Sequence, residues 1–282
     1  MRPWLLVVVL LLVVPAVTAC AKLPACREGQ VATPVRAVRS PIAGQLVHGH
    51  AHNDYEHPHP LLDALSQGFY SVEADVYYDG GRFKVAHNPW DSPRGTLAEL
   101  YLDPLQARVS VNGSVHGDGE RFTLWIDLKD QDPGLPEALR TLLAGYDMLS
   151  RFSDDGEVPR PVTVVLTGDA VMKIGTVDAG VRAAVRDSND YSPDDPAADE
   201  RWRHYALSWG SYLDWDGHGS ILEKDQQRLA CILENAHAAG RKVRFYGTPD
   251  TEADWLAELA NGVDFINTDH LAELSAALVS EP

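Results

Sequence analysis

The 282-residue chain is short of positive charge. Lys and Arg number 24 against 41 Asp and Glu, a formal net charge of −17. No long basic run interrupts that deficit, so nucleic acid is not an expected partner. An acidic chain that handles an anionic phosphate needs a local positive centre, and a bound metal ion supplies one. The acidity also serves solubility, whatever the function. No glycine-rich loop follows an early strand, which argues against a doubly wound nucleotide-binding sheet. The apolar run at residues 5–14 is too short to span a bilayer comfortably. Repeats and low-complexity segments are absent. With 45% hydrophobic and 23% charged residues, the composition is that of a folded globular protein.

Cysteine is scarce too: Cys20, Cys26 and Cys231. Arg2, the apolar run and the small residues that end at Ala19 together describe an export signal. Val17-Thr18-Ala19-Cys20 resembles a lipobox, in which the cysteine is lipidated and becomes the mature N-terminus. A plain signal-peptidase cut near Ala19 or Ala21 is the other outcome. The expected location is therefore secreted, or lipid-anchored at the outer face of the cell membrane through Cys20. A lipid on Cys20 leaves Cys26 and Cys231 as an even pair in an oxidising compartment, and a disulfide between them is expected. No obligate protein partner is evident.

Residues 1–20 read as the leader, 21–42 as a linker without periodicity, and 43–282 as one domain. Strand and helix patterns alternate from residue 45 onward. Strands are expected near 45–50, 69–77, 82–86, 122–129, 162–166, 204–209, 242–246 and 263–267. Helices are expected near 60–66, 96–105, 136–146, 221–239, 252–261 and 270–279. The polar stretch from about 187 to 201 reads as a long loop. Alternating β and α units with apolar strands imply a parallel sheet covered by helices. The length suits a (β/α)8 barrel, typically about 250 residues. Polar residues collect where strands end, and that is where such barrels carry their sites. The fold class is α/β, a distorted TIM-type barrel.

Glu73 and Asp75 stand out in the apolar run Val72-Glu73-Ala74-Asp75-Val76. Residues i and i+2 of a strand point the same way. Two acids on one face of a buried strand repel each other and are costly to desolvate unless a cation neutralises them. Asp127 and Lys129 repeat the spacing on another strand. Asp127 becomes a third acidic ligand, and Lys129 a phosphate contact that also keeps its neighbour ionised. Histidines flank the acid pair: His50 and His52 upstream, His87 downstream. Imidazoles are the natural acid/base groups near neutral pH. Asn53 and Asp54 stand ready to orient an imidazole or touch metal or substrate.

The run His50-Ala51-His52-Asn53-Asp54-Tyr55, with Pro60 to Leu65, Ser71 to Val76 and Val85-Ala86-His87, resembles the phospholipase-C-like phosphodiesterase superfamily. Glycerophosphodiester phosphodiesterases, phosphatidylinositol phospholipase C and sphingomyelinase D belong to it. The His-Asn-Asp-Tyr opening resembles the branch that holds the altered-inheritance-of-mitochondria proteins. Ile126-Asp127-Leu128-Lys129 is similar to a sphingomyelinase D strand, and residues 262–269 to the last barrel strand of glycerophosphodiesterases. The resemblance implies a distorted (β/α)8 barrel and one divalent metal, Mg²⁺ or Ca²⁺, on Glu73, Asp75 and Asp127. It also implies His52 and His87 as the acid/base pair, with His50 competing for the first slot. The substrate implied is a small-molecule or lipid phosphodiester. The Arg of the glycerophosphodiesterase opening His-Arg-Gly is missing here.

Two other readings stand beside this one. His50-x-His52 resembles the paired imidazole ligands of amidohydrolase-like and PHP-type metal hydrolases, which favour a transition metal. The other is a ligand-binding surface lipoprotein without catalysis.

Overall fold

The computed structural model describes residues 22–33 and 46–279. The leader, Cys20 and residues 34–42 of the expected linker lie outside the described residues.

Eight parallel strands form the centre: β1 (Leu46–Ala51), β2 (Phe69–Asp79), β3 (Phe122–Leu128), β4 (Val162–Gly168), β5 (Val185–Ser188), β6 (Trp202–Ser208), β7 (Lys242–Tyr246) and β8 (Ile266–Thr268). Hydrogen bonding runs β7-β6-β5-β4-β3-β2-β1-β8. A single parallel bridge between Arg244 of β7 and Phe265, the residue just before β8, closes the ring. The expected barrel is thus present. Its membership differs from the sequence reading at one strand. Residues 82–86 look like a member, but Arg82–Val85 pairs antiparallel with the long end of β2, outside the ring. Its place is taken by β5, in part inside the stretch read as a loop. Val-Arg-Asp-Ser is four residues long and three of them are polar, so it carries almost no strand signal of its own.

Alternation along the strands sorts the side chains into two layers. Val72, Ala74 and Val76 of β2 pack outward with Leu124, Ile126 and Leu128 of β3 and with the helices. Ser71, Glu73 and Asp75 take the other parity and turn into the barrel. Trp125, Val165, Val185, Ala206 and Phe265 make an apolar floor there, with Phe152 beneath. The register sets Glu73 beside Trp125 and Asp75 beside Asp127. It also sets His50 between Ser71 and Asn267.

The segment 22–33 has no regular secondary structure but is docked. The Cys26–Cys231 disulfide ties it to the helix Glu223–Ala238 across 205 residues of sequence, as expected. The Tyr191 hydroxyl donates to the Ala25 carbonyl (2.9 Å).

The helix Glu252–Asn261 buries two acids, Asp254 and Glu258. Neither Glu258 oxygen has a hydrogen-bond partner. Burial pushes Glu258 well above the usual carboxylate range, and pushes Asp254 up to about 7. Both acids therefore hold protons in the fold that the unfolded chain releases from about pH 4 upward. Stability falls as pH rises above that point, by up to about 1.4 kcal/mol per unit for each group until its folded pKa is passed. Glu258→Gln is expected to raise the melting temperature at pH 8 and to leave it nearly unchanged at pH 4.5. Equal shifts at both pH values would show that Glu258 is not the titrating group.

Candidate metal centre and its flanking histidines

Glu73 and Asp75 of β2 and Asp127 of β3 each place a carboxylate oxygen within 4.8 Å of the other two. Glu73 Oε2, Asp75 Oδ1 and Asp127 Oδ1 are buried and lack any hydrogen-bond partner. Three carboxylates left short of donors in one place fit a hard divalent cation, whose ligands are oxygens. The titration pattern agrees. Burial, then repulsion from Asp127 and Glu73, pushes Asp75 up to about 7. Burial and Glu73 raise Asp127 likewise. Gly168 makes room for the cluster: its φ is +84°, and a Cβ there would sit 2.1 Å from Asp127 Oδ1.

Two protein cations hold the acids in position. Lys129, just past the end of β3, lies 2.7 Å from Asp127 Oδ2 and 3.1 Å from Asp75 Oδ2. Arg244 enters from β7, where a charged residue between Val243 and Phe245 is the signal the sequence offers for it. One guanidinium nitrogen donates to Glu73 Oε1 (2.6 Å); the other donates to His50 Nε2 (2.6 Å) and Asn267 Oδ1 (3.3 Å). The guanidinium lies over the Trp125 ring at 4.5 Å. Burial works to raise Glu73, but the Arg244 charge beside it wins and holds it well below the usual range.

The histidines divide into two kinds. His50 is fully buried. Arg244 occupies its Nε2, so the proton sits on Nδ1 and goes to Ser71 Oγ (2.7 Å). Burial and the Arg244 charge push it down to about 4. With both nitrogens engaged, His50 is a neutral strut. It fits neither the catalytic slot nor the ligand pair of an imidazole-bound metal. His52 is different. Its Nδ1 meets Asp269 Oδ1 at 2.8 Å, and its Nε2 lies 3.7 Å from Glu73 Oε2. Burial works to lower its pKa, but the Asp269 hydrogen bond and the Glu73 charge raise it. His87 stands at the other acid, its Nδ1 3.3 Å from Asp75 Oδ2 and its side chain half exposed.

Tyr55, at the end of the His-Asn-Asp-Tyr run, is a site residue the sequence reading did not single out. Its hydroxyl donates to Asp75 Oδ2 (2.8 Å) and receives the Nδ1 proton of His87 (3.0 Å). Asn53, in the left-handed conformation (φ 44°), sits beside that hydroxyl, with Oδ1 at 3.1 Å. Asp54, expected to touch metal or substrate, is buried away from the cluster. It accepts from the Leu61 N–H (2.5 Å) and the Tyr101 hydroxyl (2.9 Å) and pins the β1–β2 connection. Asp269, at the end of β8, is the second residue the reading left without a role. The cleft above the cluster has a volume of about 490 Å³ and includes His52, Glu73, Asp127, Lys129, Asn189, Arg244 and Tyr246 in its walls.

Fold and site together define a (β/α)8 barrel with a carboxylate-rich, metal-type centre at the C-terminal strand ends, flanked by two histidines. The chain belongs to the AIM6-like phosphodiesterase domain family, whose profile it matches over residues 43–187. It is 29% identical to altered inheritance of mitochondria protein 6 of Eremothecium gossypii, over 89% of this chain and 73% of that protein. It is 28% identical to the protein of that name from Zygosaccharomyces rouxii, over 79% and 67%. Among solved structures it is similar to a glycerophosphodiester phosphodiesterase from Agrobacterium tumefaciens, with a TM-score of 0.50 and 17% identity. That likeness covers 82% of this chain and all of the other, and it concerns the fold.

Proposed function

We propose that this chain is a divalent-metal-dependent phosphoric diester hydrolase acting on a glycerophosphodiester or a phospholipid headgroup. The observation that carries the reading is the trio of under-coordinated acids, Glu73, Asp75 and Asp127, with His52 at one end and His87 at the other. Glu73, Asp75 and Asp127 would hold a Mg²⁺ or Ca²⁺, which would supply positive charge to the phosphate and to the transition state. The remaining work falls to the side chains. Asp269 accepts a hydrogen bond from the Nδ1–H of His52, which leaves Nε2 as the base for the attacking hydroxyl. Tyr55 does the same for His87, whose Nε2 then gives a proton to the leaving alkoxide. Lys129 stays fixed by Asp127 and Asp75 and supplies a positive charge near the phosphate. Of the two cations, Lys129 and Arg244, among the described residues lining the cleft, Lys129 takes that task because Arg244 is committed to Glu73.

The test is a screen of the purified protein against glycerophosphodiesters, phosphatidylinositol, lysophospholipids and sphingomyelin, with Mg²⁺ or Ca²⁺ added. Turnover of one class is expected. EDTA should abolish it, and re-addition of one of the two ions should restore it. Full activity after exhaustive chelation would overturn the metal role, and no turnover of any diester would overturn the reaction class.

A further inference from the structure

The docked N-terminal segment ends on the same face of the barrel as the acid cluster. Lys22 Nζ donates to the Gly210 carbonyl (2.7 Å) and pairs with Asp214 (3.0 Å). The Leu23 N–H donates to the Ser211 carbonyl (3.0 Å), and the Arg228 guanidinium donates back to the Leu23 carbonyl. Gly210, Ser211 and Asp214 follow the C-terminal end of β6. Gly247, Thr248 and Pro249, which share a cleft with Lys22, follow the end of β7. All eight strands are parallel, so these loops belong to the catalytic mouth. The Cys26–Cys231 disulfide clamps the segment to its helix, which prevents its free end from swinging to the opposite mouth.

Cys20 lies two residues before Lys22. Two extended residues reach about 7 Å at most. An acyl chain on Cys20 would therefore start within that reach of Lys22, beside the catalytic rim. The same rim exposes apolar side chains: Trp90, three residues past His87 and 80% exposed, with Leu23 and Leu222. Tryptophan beside an acyl anchor suits the water–lipid boundary. Charge alone does not bring this face to an anionic surface, since the chain is strongly acidic. The tether supplies the local concentration instead, on the order of mM for a short linker.

We propose that the lipid-anchored protein sits mouth-down on the bilayer, with the rim around Trp90 and Leu23 against the lipid surface. Its substrate is then a phosphodiester headgroup of a lipid in the same membrane. The last clause rests on the hydrolase reading above; the orientation does not.

Full-length protein, processed in a lipidating bacterial host and placed in phosphatidylcholine vesicles, is the material for the test. Ser92→Cys puts a polarity-sensitive fluorophore beside Trp90, and Glu120→Cys puts one at the opposite mouth. Brominated acyl chains are expected to quench the label at position 92 several-fold more than the label at 120. Combining Cys26→Ala with Cys231→Ala should erase that difference while the protein stays on the vesicles. Equal quenching of the two labels, stronger quenching at 120, or a mature chain without lipid on Cys20 would overturn the orientation. These readouts require no turnover, so an inactive protein with the expected quenching would fail only the hydrolase reading. The substrate clause is tested by comparing bilayer lipid with a soluble short-chain diester of the same headgroup. Opening the disulfide should slow the first at least several-fold and spare the second; equal effects would overturn that clause.

Discussion

His52→Ala and His87→Ala are each expected to lower turnover by roughly 10²–10⁴, the usual contribution of a positioned acid or base, with thermal unfolding close to that of the parent. Neither ring supports the core. His52 is partly exposed and its contacts are Asp269 and Glu73; His87 is half exposed at the mouth. The contrast with His50 sharpens the expectation. His50→Gln removes a buried ring that braces Arg244 and Ser71, so its loss should appear mainly in stability. Steady-state kinetics with thermal melts separates the two outcomes. Parent-like rates for either His52→Ala or His87→Ala, on a substrate the parent cleaves, would remove that residue from the chemistry. The Asp269 hydrogen bond adds a further readout. It raises the pKa of His52, so in Asp269→Asn the acidic limb of the profile, set by His52 as the base, should move to lower pH.

Arg244→Met should destabilise the fold by about 3–5 kcal/mol, the range found when one partner of a buried ion pair is removed. The guanidinium is the charge that keeps Glu73 ionised at 2% exposure, at 2.6 Å from Oε1. Without it, Glu73 must take up a proton or remain a buried, uncompensated anion. His50 Nε2 and Asn267 Oδ1 lose their donor in the same step. The double variant Arg244→Met with Glu73→Gln should recover a large part of the loss, because no lone charge is left in the barrel. Chemical denaturation of the two variants measures this directly. A melt within 1 °C of the parent for Arg244→Met alone would mean that Glu73 finds its counter-charge elsewhere. An added divalent ion should narrow the gap between Arg244→Met and the parent, since it is the other source of positive charge for Glu73.

Much of this molecule is legible in its residue order. The i, i+2 spacing of Glu73 and Asp75 in an apolar strand settles which way both point. The same spacing at Asp127 and Lys129 does it again on a second strand. Alternation of β and α patterns implies a covered parallel sheet, and the even pair left after Cys20 implies the disulfide. What escaped were contacts between distant segments. β5 has too few residues to announce itself. Arg244 is 171 residues from Glu73, and Asp269 is 217 residues from His52. His50 and His52 look equivalent in sequence, being two apart in a polar run. Only the ring closure between β7 and β8 brings Arg244 onto His50 and leaves His52 to Asp269.

Local chemistry alone therefore determined the strand faces and the acidic character of the site. These follow from backbone periodicity and the cost of burying like charges, which act over a few residues. Tertiary structure decided which histidine is free to move a proton, which cation answers Glu73, and which mouth of the barrel receives the N-terminal segment. Those outcomes depend on pairing register and on ring closure, which set distances that no local spacing encodes.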